Sequence, residues 1–197
     1  MTTIFRCCLS AALLAVALAC TDAGPQFRST DITGVDYGKQ LSLVDHNGVR
    51  RTLAEFRGKV VVLFFGFTQC PDVCPTTMAE VAQALKTLGE DAGRVQVLMV
   101  TVDPERDSAE VLREYVTAFD PRFLGLRGSL EETQAAAKEF KIYFEKRKSG
   151  DSYTVDHSGQ TYVLDPAGRL RLLVRHDRIG TDLGPDLKTL LDAARSS

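Results

Sequence analysis

The stretch KVVVLFFGFTQCPDVCP, Lys59 to Pro75, decides how the rest of the chain is read. Its first half is nearly all apolar and β-branched or aromatic, the pattern of a central strand covered on both faces. Its second half leaves that strand through Gly66-Phe67-Thr68-Gln69 and places two cysteines four residues apart, each followed by proline. Pre-proline residues avoid helical dihedrals, and proline is comfortable at the start of a helix but not one turn inside it. The spacing therefore predicts a loop over Cys70–Cys74, with a helix beginning at Pro75. Both thiols then lie near a helix N-terminus, where free amides and the dipole favour thiolate.

Outward from this segment the elements alternate. Met78, Val81, Leu85 and Leu88 form one helical stripe, and VQVLMVTV (Val95 to Val102) reads as a second buried strand. Asp107 with Glu110 reads as an N-cap and its partner, opening a helix through Val111, Leu112, Tyr115 and Val116. Phe123 to Leu126 is a short third strand, and Ser129-Leu130-Glu131-Glu132 is a capping box for a helix ending near Phe140. Upstream, LSLVDHNGVRRTL flanks Asn47-Gly48, the signal of a type I′ hairpin turn. Downstream, TYVLDPAGRLRLLV gives two strands around Asp165–Gly168, and Leu183 to Ala194 closes the chain as a helix. Right-handed crossovers then imply an α/β fold, a mixed central sheet flanked by helices. The element order is that of a thioredoxin-like fold with an extra N-terminal β-hairpin.

The chain has 197 residues, 44% hydrophobic and 25% charged, which suits one domain plus an appendage. A net charge of −2 argues against a nucleic-acid binder, and no long apolar run follows residue 20. The five cysteines divide into Cys7, Cys8 and Cys20 at the start and Cys70 and Cys74 in the body. Residues 1–19 carry Arg6, an apolar run from Leu9 to Leu18 and Ala17-Leu18-Ala19, as in a cleaved export signal. The ending resembles a bacterial lipoprotein signal, which would make Cys20 a lipid attachment point. Ala17 stands where such signals usually carry a larger aliphatic residue. The alternative is an ordinary signal peptidase cutting at the same bond and releasing a soluble protein. Residues 20–34 then form a polar tether, and residues 35–197 form one domain. A disulfide closing so small a loop as Cys70–Cys74 would stabilise little, so the pair is read as chemistry rather than as a staple.

Two thiolates do not complete a metal site alone. Copper(I) favours two or three soft ligands, and imidazole nitrogen suits either copper oxidation state. His46, in a hairpin turn, and His176, at a strand end, read as solvated polar positions. His157 lies before a strand that enters the same sheet, and spacing alone leaves it open between ligand and loop residue. Asp72 reads equally as a residue tuning the thiolates from outside the ligand set and as a helix-terminus carboxylate. Asp103-Pro104 ends the second strand near the same sheet edge, chiefly as turn chemistry. Lys146-Arg147-Lys148 is a solvated hairpin or loop. Arg169, Arg171 and Arg175 form a solvent-facing row, with docking onto an acidic partner as the other reading.

GFTQCPDVCP, TVDPERDS (Thr101 to Ser108) and YTVDHSGQTYVLDPAG together closely resemble the Sco/SenC family, from about residue 37 to the C-terminus. The resemblance implies a thioredoxin-like domain holding Cu(I) or Cu(II) through Cys70, Cys74 and His157. It implies a membrane-tethered copper metallochaperone, not primarily an enzyme, that serves the copper-bearing subunit of cytochrome c oxidase. An upstream copper donor and a thiol reductant for a Cys70–Cys74 disulfide are then needed. The expected location is periplasmic or otherwise extracytoplasmic, at a membrane. A thiol–disulfide oxidoreductase or a redox or copper sensor would use the same cysteine pair. The C-x-x-x-C spacing, and the lack of proline between Thr154 and Thr161, count against a general reductase.

Overall fold

The computed structural model describes residues 24–195. Cys7, Cys8 and Cys20, with the export signal, lie outside them. The central strand expected from residues 59–67 is β4 (Val60–Gly66), buried at all seven positions. It pairs in parallel with β5 (Val95–Thr101), which pairs in parallel with β6 (Leu124–Arg127). On the other side β4 pairs antiparallel with β9 (Thr161–Leu164), which pairs with β10 (Leu170–Val174). Beyond β6 lies the hairpin β2 (Ser42–Asp45) and β3 (Arg50–Thr52), giving the mixed sheet that the element order implies.

Helix α1 (Val73–Thr87) crosses from β4 to β5, and α2 (Ala109–Thr117) crosses from β5 to β6. Both crossovers run the same way along the sheet, so right-handedness stacks the two helices on one face. The C-terminal α4 (Gly184–Ala193) packs beside α1. Side chains alternate along β4, and the alternation sorts the aromatics. Phe64 points to the α1 face. Phe65 points to the opposite face, against Phe140 at the end of α3 (Leu130–Glu139), with ring centroids 5.6 Å apart. The capping box expected at Ser129 and Glu132 opens α3.

Both main hairpins use one turn device. The Asp45 and Asp165 carbonyls accept from Gly48 and Gly168, whose φ values are +82° and +78°. In each, one carboxylate oxygen takes two turn amides and the other takes an arginine Nε, from Arg51 or Arg169, at 2.9 Å. The first turn is therefore not the expected type I′, which needs two central residues at positive φ. Only Gly48 adopts it, forming a three-residue loop with a bulge. His46 corrects a second expectation. It is buried, its Nδ1 accepting from the Gly125 amide at 3.1 Å and its own amide donating to the Gly125 carbonyl. Burial lowers its pKa, and it fastens the hairpin to β6.

Three more boundaries differ. Helix α1 begins at Val73 rather than Pro75, because a proline in the first turn forfeits no intrahelical bond and the buried Cys74 side chain packs under β4. Helix α2 is capped by Ser108, not Asp107, whose carboxylate is buried among Thr68 and Thr101. The tether expected through residue 34 is docked from Arg28 onward. The amides of Arg28 and Ser29 donate to the buried Asp186 carboxylate at 2.8 and 2.9 Å, and β1 (Thr30–Asp31) extends the sheet beside β10. The arginine row holds acidic partners within the chain: Arg169 and Arg171 meet Asp165, and Arg175 meets Asp177.

A Cβ at Gly66 would stand 2.5 Å from Phe64 Cε1 and 2.9 Å from the Cys74 sulfur. Gly66→Ala is expected to destabilise the domain by about 1–3 kcal/mol, the cost of overpacking. Urea unfolding at an unchanged m-value would show it.

Candidate metal centre

Three elements deliver the site. Cys70 sits half-buried on the loop leaving β4, and Cys74 lies wholly buried in the first turn of α1. His157 ends β8 (Ser152–His157), which pairs with β7 (Phe144–Ser149) in a separate hairpin. One ligand atom from each residue lies within 4.8 Å of the others, and Cys74 Sγ is 3.5 Å from His157 Nε2. The Cys74–His157 separation fits one ion bound at about 2.0–2.3 Å to each, the usual range for histidine and cysteine on a first-row metal, and the half-exposed Cys70 lies close enough to join them.

The imidazole is oriented before any metal arrives. Its Nδ1 lies 2.9 Å from the Ser158 carbonyl oxygen. A carbonyl only accepts, so Nδ1 carries the proton and the Nε2 lone pair faces the sulfurs. Phe64 and Phe67 present ring edges at centroid distances of 6.2 and 5.8 Å and wall the histidine laterally.

The two thiols titrate as a pair. A hydrogen bond from Cys74 pulls the Cys70 thiol far below its ordinary value, against the opposing effect of burial. The amides of Asp72 and Cys74 add to that lowering. Cys74 is pushed up by the same bond to Cys70 and by its burial. The two sulfurs therefore titrate together, with thiolate favoured on the outer sulfur over the inner.

Asp72 is exposed at the N-cap, where its side chain makes no capping bond; its amide, not its carboxylate, serves Cys70. Asp103 is fully buried and reaches the site only through intermediaries, accepting from Arg106 Nε and, at 2.8 Å, from the Tyr153 hydroxyl. Asp107 accepts from the Thr68 amide at 3.1 Å and its hydroxyl at 2.6 Å, tying the cysteine loop to the end of β5. Burial raises its pKa. Sequence reasoning passed over Arg106 and Tyr153 and treated Asp107 as a cap. The available signal was the position of TVDPERDS, directly after a buried parallel strand at the sheet edge where ligands bind in open α/β sheets.

The family model described as SCO1/SenC matches residues 29–192. The chain belongs to the SCO1/SenC family. It is 36% identical over 158 residues to the human mitochondrial SCO2 homologue, covering 78% of this chain and 59% of that one. It is 39% identical over 137 residues to sco1 of Schizosaccharomyces pombe, covering 67% and 52%. The chain spans about half the length of the first curated relatives it matches. Among solved structures, copper-bound ScoI of Bradyrhizobium japonicum shares 35% identity over 78% of this chain and 99% of its own, with a TM-score of 0.72. Apo Sco1 of Thermus thermophilus shares 40% over 85% and 99%, with a TM-score of 0.75. The SCO1/SenC domain here has the thioredoxin-like fold that the element order implies.

In the metal-free reduced protein, alkylation should fall on Cys70 and spare Cys74 until unfolding. Because the Cys70 pKa is depressed, its rate should change little between pH 8 and pH 6. An ordinary thiol of pKa about 8.5 would slow by nearly a hundredfold over that interval. Mass-spectrometric mapping of timed iodoacetamide reactions would measure both.

Proposed function

We propose that this chain is a copper metallochaperone, binding Cu(I) or Cu(II) through Cys70, Cys74 and His157. It passes the ion by ligand exchange to the binuclear copper centre of cytochrome c oxidase. The observation that carries this reading is the convergence of two sulfurs and one pre-oriented imidazole nitrogen within 4.8 Å. Two soft donors suit Cu(I), and the added nitrogen suits Cu(II). Copper is cargo here, and its loading requires the reduced dithiol, since a Cys70–Cys74 disulfide removes both thiolates. A copper donor and a thiol reductant upstream therefore belong to the same proposal. The family supports it: the B. japonicum relative is described with copper bound, as is yeast Sco1.

Placement at a membrane is part of the reading. Residues 1–19 act as an export signal, and Cys20 is the acylated N-terminus that holds the domain on an extracytoplasmic face. Among the described residues no helix is long and apolar enough to cross a membrane. A lipid on Cys20 would supply the attachment.

Copper titration of the reduced domain should give about one ion per chain, with sulfur-to-copper charge-transfer absorption in the Cu(II) form. Cys70→Ser and Cys74→Ser should each weaken and shift that absorption, the double variant should abolish it, and His157→Ala should weaken Cu(II) binding and alter the spectrum. Unchanged affinity and spectrum in His157→Ala would remove the histidine from the ligand set. Copper-free reduction of a partner disulfide, at a rate untouched by His157→Ala, would favour the oxidoreductase reading instead.

A further inference from the structure

Arg106 makes three side-chain hydrogen bonds near the site, and the copper reading leaves it without a task. It stands in the connection between β5 and α2 and touches no proposed ligand, yet its guanidinium reaches both the cysteine loop and the hairpin that carries His157. Nε donates to the buried Asp103. Nη1 donates to the side chain of Gln69, next to Cys70, at 3.1 Å, and to the Tyr153 carbonyl, four residues before His157, at 2.9 Å. The guanidinium carbon lies 3.8 Å from the Tyr153 ring centroid and 6.0 Å from that of Phe67, which itself edges His157. Nη2 is buried with no hydrogen-bond partner, so its burial is not explained by satisfaction of all its own donors.

The hairpin needs such a hold. Five of the six β7 residues are exposed, and in β8 only Val155 is buried. Its other ties fall on the same short segment: Lys146 meets Glu105 at 2.6 Å, and the Tyr153 hydroxyl meets Asp103. Apolar anchoring of the hairpin is confined to Val155 and the partly buried Phe144 and Tyr153, so polar ties share in fixing where β8 delivers His157.

We propose that Arg106 is a positioning residue that clamps the His157 hairpin onto the cysteine loop, so that the imidazole stands over the two sulfurs before copper binds. The proposal rests on the copper reading of the site. It predicts that Arg106 acts on copper only through His157. Loss of an outer partner of a metal ligand typically costs about ten- to a hundredfold in affinity.

The test is a double-mutant cycle on the full domain. Arg106→Met and the charge-keeping Arg106→Lys are each made alone and with His157→Ala, and Cu(II) affinity is read by competition and its spectrum by absorption and paramagnetic resonance. The second variant guards against a fold lost through stranding Asp103. Each Arg106 variant alone should lose roughly tenfold or more of Cu(II) affinity and shift its spectrum toward that of His157→Ala. In the His157→Ala background the same changes should have no further effect. In the metal-free protein, hydrogen exchange should quicken in residues 144–157 and stay unchanged in β4 and β5. Equal losses in both backgrounds, or unaltered hairpin exchange, would overturn the clamp. Absence of copper binding by the unmutated domain would instead overturn the copper reading, and the exchange experiment would still judge the clamp.

Discussion

The end of β4 is the constraint on which the site depends. Seven consecutive buried residues fix this strand between two layers, and the last of them, Gly66, has no side chain. The vacant volume is taken by Cys74 and by the edge of Phe64. That close approach brings the N-terminus of α1 against the sheet edge, with Cys74 in its first turn and Cys70 just ahead of it. The helix amides then supply the donors that a thiolate needs, and an anionic site becomes tolerable in a half-buried place. Bound Cu(I) with two thiolates would carry one net negative charge, which the same amides would offset.

A second constraint acts across the chain. The cysteines belong to one local segment, but the histidine arrives from more than eighty residues away on an element outside the main sheet. Local geometry cannot place it. The segment 101–107 joins the two halves: Asp107 grips the cysteine loop through Thr68, while Asp103 and Arg106 grip the hairpin through Tyr153. Such polar and cation–π ties are weaker and more exposed than core packing, so this region belongs to the less stable part of the fold. The sulfurs and the imidazole are thereby held with different firmness.

The central strands were legible because they are apolar runs bounded by turn residues, and α3 because its capping box is local. What was not legible depended on partners distant in sequence. The pre-proline rule argued for a loop through Cys74, and burial under β4 overrode it. Asp107 and Ser108 are both good caps, and only the threonines at 68 and 101 decide which one is free to cap. His46 looked solvated because nothing in a turn sequence announces that Gly125 will lie beside it. The β7–β8 segment read only as a hairpin or loop, since its charged residues face solvent on both sides and the period-two alternation is missing. His157 was accordingly open between ligand and loop residue on spacing, and the family resemblance is what singled it out as the ligand.

The asymmetry of the site bears on how cargo would leave it. A carrier must hold an ion tightly enough to protect it and loosely enough to surrender it without a new conformation of the core. Cys74 is wholly buried and locked in a helix, so a partner's ligand cannot approach the ion from that side. Cys70 is half-exposed on a loop, and His157 is half-exposed on a hairpin held by polar ties. If the site carries copper as proposed, an incoming ligand could displace either of these while the inner sulfur kept the ion, so that copper stayed coordinated throughout the exchange. On the proposed copper role, the outer two ligands would set the order of release, and the firmness of the hairpin would bear on transfer rather than on fold.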